Sequence, residues 1–186
     1  MASAVTLAIA VDSWIIQDGN YGDFAVGDRA RFALEFGARQ LQLSATREPR
    51  ATHIGHGVYD LRAEVRFIDS DVWVIDFGTL AFWEAPPPSF AEVGAWVEGR
   101  ALLGIDPYFY QEYLHKLPGM PDLAYDWRIE GIERNDTPWL FHPSARGGGV
   151  FTRDEARVRW NSVARTDAWN DDNGRSACVL WAEREV

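Results

Sequence analysis

Four histidines, one aromatic run and two alternating ionic triads are the side chains of this sequence best suited to chemistry. His53 and His56 flank Ile54-Gly55, close enough for two imidazoles to share a metal ion with His115 or His142 as a third ligand. With Asp or Glu side chains as bases, that would be the chemistry of a metal-dependent hydrolase. Tyr108, Phe109, Tyr110, Glu112, Tyr113 and His115 crowd one short predicted helix. Aromatic rings with polar tips suit a recognition surface, which makes Tyr108, Tyr110, Glu112, Tyr113 and His115 the candidate ligand contacts. The same spacing also places Phe109, Tyr113 and Leu117 on one core-facing stripe. Asp60, Arg62 and Glu64, and again Asp126, Arg128 and Glu130, fall at every second position and so share one strand face. They read as solvated ion-pair ladders or as two equivalent carboxylate and guanidinium sites. No Ser, His and Asp set is recognisable, and the run Gly147 to Gly149 lacks the lysine and the Ser or Thr of a phosphate loop. No catalytic motif and no cofactor are implied.

The elements that must position these residues are mostly strands. Residues 5–16 open with aliphatic and β-branched side chains and meet the turn formers Asp18-Gly19-Asn20. Ala30, Phe32, Leu34 and Phe36 alternate with Arg29, Arg31, Ala33 and Glu35, the period of a half-buried strand. Leu41 and Leu43 continue the alternation, residues 46–57 read as a polar loop carrying the two histidines, and 58–68 as a further strand. Asp106-Pro107 opens a helix over 107–117, with a capping carboxylate and proline at the first turn, and Pro118-Gly119 stops it. Arg146 and the glycines after it read as an unstructured loop. Residues 157–168 and 176–183 flank Asn170-Asp171-Asp172-Asn173-Gly174, which predicts a closing hairpin.

Half of this pattern occurs twice. Tyr59, Asp60, Arg62, Glu64 and Trp73 match Tyr125, Asp126, Arg128, Glu130 and Trp139 at one offset of about 66 (125 minus 59). Phe24-Ala25-Val26-Gly27 returns as Phe90-Ala91-Glu92-Val93-Gly94 with one insertion, and Gly37 returns as Gly104. An apolar strand, a Val-Gly step into a second strand, a helix or loop, and another strand resemble a small β-barrel of the OB type. The step Val93-Gly94-Ala95-Trp96-Val97-Glu98-Gly99-Arg100 in particular resembles the opening strand of nucleic-acid-binding barrels. That resemblance implies the fold, and with it a third function, single-stranded nucleic-acid binding through exposed Trp and Arg. His53-Ile54-Gly55-His56 in turn resembles the signature of class I aminoacyl-tRNA synthetases, whose histidines contact ATP phosphates. That family sets the motif at the start of a helix after a parallel strand and adds a lysine-containing loop. Here it falls between predicted antiparallel strands and Lys116 has no such loop, so no activity carries over.

Composition bounds what remains. A chain of 186 residues with 47% hydrophobic and 13% aromatic content buries a core without metal or disulfide, and Cys178 alone can form no internal disulfide. The charge of −10 repels phosphate backbones and anionic membranes. No run reaches the length of a membrane span, and the apolar opening lacks the basic residues of a secretory signal, so the expectation is cytoplasmic. Together these predict a mostly β protein of two duplicated OB-like barrel repeats, 3–68 and 69–134, the second with the helix, and an extension over 135–186 with the hairpin. The expected function is a non-enzymatic binding module for a protein or small ligand, with the metal enzyme and nucleic-acid readings as alternatives. Edge strands of an incomplete barrel would be covered by a second subunit, the expectation for a homodimer.

Overall fold

The computed structural model describes residues 5–144 and 147–185. Strand β1 (Val5–Asp12) leads into a one-turn helix α1 (Ser13–Gln17), then β2 (Arg29–Phe32) and β3 (Leu34–Leu43). Next come β4 (Arg50–Gly55), β5 (Val58–Ile68), β6 (Trp73–Asp76), β7 (Leu80–Trp83) and β8 (Trp96–Ile105). A short helix α2 (Phe109–Glu112) precedes β9 (Tyr125–Asn135), β10 (Trp139–Pro143), β11 (Gly149–Arg153), β12 (Trp160–Ser162) and β13 (Ala177–Arg184). All strands except β10 and β11 belong to one 11-stranded sheet.

That sheet curls into rings. Five strands close a barrel: β3 lies parallel to β7, and β7–β6, β6–β5, β5–β8 and β8–β3 are antiparallel. A second circuit has the same sequence of directions. Strand β8 lies parallel to β1 at Ala10 and Gly104, and β1–β13, β13–β9 and β9–β2 are antiparallel. This circuit closes through the chain itself, because only Ala33 separates β2 from β3, which pairs with β8. The long middle strand is held alike in each. In the first ring Gly94 N–H donates to Val65 O and Val65 N–H to Ala95 O, each at 2.8 Å. In the second, Gly27 N–H donates to Ile129 O at 2.8 Å and Ile129 N–H to Asp28 O at 2.9 Å. Both glycines need φ near +90° (94° and 88°), which a residue with a Cβ adopts only under strain.

Alternation fills the rings. Leu7, Ile9 and Val11 of β1, Leu61, Ala63 and Val65 of β5, and Trp127 and Ile129 of β9 all point into one continuous buried cluster. Trp73 stands edge-on to Phe36, and Trp127 stacks on Phe32 at 5.5 Å and donates its indole N–H to Phe32 O. Truncating either indole to Ala would cost roughly 3–5 kcal/mol. Trp139, which the repeat pairs with Trp73, is exposed instead.

Three sequence expectations are corrected. Residues 46–57 are not all loop: β4 pairs with β5 through the turn Gly55-His56-Gly57, where His56 and Gly57 both have positive φ, so His53 sits on a strand. The helix over 107–117 shrinks to α2 and a 3-10 turn, Leu114–Lys116. Tyr108 is left-handed (φ 88°) and Tyr113 leaves helical geometry, so of the expected stripe Phe109 and Leu117 pack half-buried beside the buried Tyr110 and Leu114, which extend the same apolar face, while Tyr113 is exposed. The closing hairpin does not form: β12 and β13 both pair with β9. Arg146 of the expected glycine loop, and the terminal boundaries at 3 and 186, lie outside the described residues.

Candidate binding surfaces

The predicted contacts divide between two places. The Asp106 carboxylate accepts the Phe109 N–H at 2.8 Å and the Tyr110 N–H at 3.0 Å, which fixes the start of α2. Burial raises the Asp106 carboxyl to about 6 even though these N–H groups favour its charged form. Tyr110 is buried, with its hydroxyl donating to Pro121 O and Asp122 and accepting the Leu123 N–H. The Tyr113 hydroxyl donates to Glu84, and burial with that carboxylate pushes it upward. Tyr108 meets Tyr21 edge-on, His115 bonds Tyr110 O through Nδ1, and Glu112 is exposed. Tyr113 lines a cavity of about 270 Å³ with Asp69, Asp71 and Glu84. Neither predicted metal ligand reaches it. His53 packs against Tyr59 and Trp181, and the His56 ring stacks on Trp160 at 4.0 Å. Among the described residues no three His, Cys, Asp or Glu side chains are grouped to hold a metal ion.

Two surfaces went unrecognised in the sequence. The first is an arm. Strands β10 and β11 form their own two-stranded sheet, with Phe141 opposite Phe151 at 5.0 Å between rings. Leu140, Phe141, Val150 and Phe151 are all exposed, Val150 at 65%. The root is polar and fixed. The Trp139 indole N–H donates to the Asp172 carboxylate at 2.9 Å, and the Arg153 guanidinium lies 3.8 Å over the Trp139 ring and pairs with the same carboxylate. Arg134 bridges Asp136 and Asp171 beside it and holds the Asp136 carboxyl below its usual range. Around this cavity of about 320 Å³, Arg134, Arg153 and Arg159 balance Asp136, Asp171 and Asp172. The apolar run Trp139-Leu140-Phe141 is consistent with a strand, but nothing in its composition says that it stays uncovered.

The second is the outer face of β3, β8, β5 and β4, where register sets side chains in rows. One row reads Gln42, Glu98, Arg62, Arg50, and the next Gln40, Arg100, Asp60, Thr52. Arg62 donates to Glu98 at 3.0 Å, and the Ser44 hydroxyl with Arg62 holds that carboxyl below its usual range. Arg100 meets Asp60 only at 3.5 Å. Two adjoining cavities of about 580 and 620 Å³ cover the face and share Gln40 and Arg100. Asp60 and Arg62 were singled out in the sequence; Arg39, Arg50 and Arg100 join them only through register.

No family model, curated protein or solved structure matches this chain.

Proposed function

We propose that this protein is a non-enzymatic binding module whose partner is another protein, engaged through the β10–β11 arm. The observation that carries this is the arm itself: apolar strands left open to water on a root fixed by Asp172, in a molecule whose other strands are sheet members. A two-stranded hairpin gains little stability alone, and exposed apolar patches of this kind mark interaction sites.

The architecture supports the same reading. We infer that the two rings are copies of one OB-like unit, the second completed by the two ends of the chain. Their identical order of strand directions and the paired glycine contacts support this. So does a reciprocal tyrosine: the Tyr59 hydroxyl of the first ring accepts the Ala8 N–H of β1, and the Tyr125 hydroxyl of the second accepts the Leu80 N–H of β7. On this equivalence β5–β6 and β9–β13 are corresponding connections. The first spans residues 69–72; the second spans 136–176 and contains the arm. An insertion of that size on a repeated scaffold is where a binding function is expected to lie.

The test places a photocrosslinking amino acid at position 151, with position 93 as an exposed control, in cells expressing the chain. The expected result is a discrete protein adduct from 151, absent from 93, and lost when Phe141→Ser is added. An adduct with a second copy of the chain would identify the partner as a homodimer subunit. No adduct at 151, or the same adducts from both positions, would overturn the reading.

A further inference from the structure

We propose that the outer face of β3, β8, β5 and β4 is a second site, which binds an extended acidic polypeptide segment whose carboxylate and apolar side chains take turns at every second position, so that both kinds face the sheet. The charge on this face is opposite to that of the molecule. Around the two cavities Arg39, Arg50, Arg62 and Arg100 stand against Asp60 and Glu98, four minus two, or +2, on a chain of −10, and Glu64 farther along the same face of β5 is paired with Arg66. Screening over about 10 Å at ordinary salt lets this local sign prevail over the distant acids for a ligand lying on the face.

The arginines are not equally committed. Arg62 is tied to Glu98, with the two side chains only 16% and 28% exposed, and serves the sheet. Arg39 and Arg50 form no ion pair among the described residues, and both are exposed. The Arg100 and Asp60 side chains are 68% and 45% exposed, so that loose pair gives way to a ligand carboxylate at little cost. Between these cations lies an apolar floor of Val58 and Leu102, cross-strand neighbours on the outer face, whereas the Ala101 side chain between the rows turns into the core. Leu102 points outward because β8 alternates, and Gly37 opposite it has no side chain to cover it. Gln40 and Gln42 project beside the floor with amides able to donate to and accept from a peptide backbone. An extended segment repeats its side chains every ~6.6–6.8 Å, the same spacing that separates the rows of this face along its own strands. Only every second side chain of such a segment faces the sheet, so one apolar side chain would enter the cavity over Leu102 while the carboxylates two positions to either side meet Arg39, Arg100 and Arg50.

Nucleic acid fits less well. No aromatic ring lines either cavity for bases to stack on, and a polyphosphate brings far more charge than +2 offsets.

The experiment measures fluorescence anisotropy of a labelled ten-residue peptide in which Glu and Val take turns at every second position with Ser between them, with a Gln-for-Glu peptide and a single-stranded oligothymidine as comparison probes. The expected result is binding of the Glu peptide alone, weakened at least about tenfold by Arg39→Glu with Arg50→Glu and by raising salt to roughly 0.3 M. These two side chains hold no ion-pair partner among the described residues, so the variant keeps its melting temperature; if it does not, Arg39→Gln with Arg50→Gln replaces it. Equal binding of the Gln peptide, indifference to the arginine variants, preference for the oligonucleotide, or no binding would each overturn the proposal. Phe141→Ser leaves peptide binding unchanged, which separates this site from the arm.

Discussion

At the scale of single residues, the least settled group is Glu35. It lies on β3 opposite Phe82 of β7 and Gly104 of β8, partly buried, and its carboxyl is raised to about 7 by burial, then by Asp106 and Glu84. A carboxyl whose folded pKa lies above its unfolded value binds more protons in the folded state. Its contribution to stability is full below about pH 4.5 and is lost as pH rises toward 7. Glu35→Gln removes that loss. The variant should exceed the wild type by about 1–2 kcal/mol at pH 8, a figure reduced for partial exposure, and should match it near pH 4.5. Urea melts of both proteins across this range read Glu35 together with Asp106, the carboxyl whose charge raises it, while distant carboxylates such as Asp136, held low by Arg134, titrate equally in each. A gap that does not change with pH would show that Glu35 is ionised at little cost.

At the scale of elements, the pairing of β3 with β8 depends on Gly99. The register shifts between Ala38 and Gln40, and this brings the Gln40 carbonyl oxygen to where a Cβ on Gly99 would stand, closer than any side chain tolerates against backbone. Gly99→Ala should therefore cost about 2–4 kcal/mol, read as a lower urea midpoint. Gly37→Ala, with open space around its Cβ, should cost well under that. A neutral Gly99→Ala would mean that the bulge moves freely. Neither contrast is visible in the sequence, where both glycines interrupt similar strands. What the sequence does carry is local: the alternation in β5, β8 and β9, the Asp106 cap, and the Val-Gly steps before β2 and β8. What it lacks is tertiary. The length of α2 depends on Tyr113 reaching Glu84, the strand character of β4 on its pairing with β5, and the exposure of Phe141 and Phe151 on the absence of a covering strand. The arginines of the proposed peptide face were legible as charges, but their assembly into rows is set by cross-strand register.

At the scale of the molecule, the two rings cannot come apart without losing strands from both. They share β8 and the run from β2 into β3, and the side chains inside them form one cluster, while Val74 and Phe82 on the other side of β6 and β7 pack with Tyr110 and Leu114 in a second. Side chains also lock each ring to the other. Tyr59 reaches β1, Tyr125 reaches β7, and Arg184 of β13 donates to Gly78 O and the Thr79 hydroxyl at the turn between β6 and β7. Chains longer than about 150 residues often unfold in stages, but staging requires a boundary that few contacts cross. Here the boundary is made of shared strands. Calorimetry should give one transition whose van't Hoff and calorimetric enthalpies agree, with tryptophan fluorescence and far-UV circular dichroism melting together. Tyr59→Phe leaves the buried Ala8 N–H without its acceptor, at a cost of about 1–3 kcal/mol, and should lower that single transition without dividing it. A divided transition in the wild type would mean that the rings are independent folding units and that the shared strands remain with one of them. If it divides only in Tyr59→Phe, this hydroxyl is what couples them.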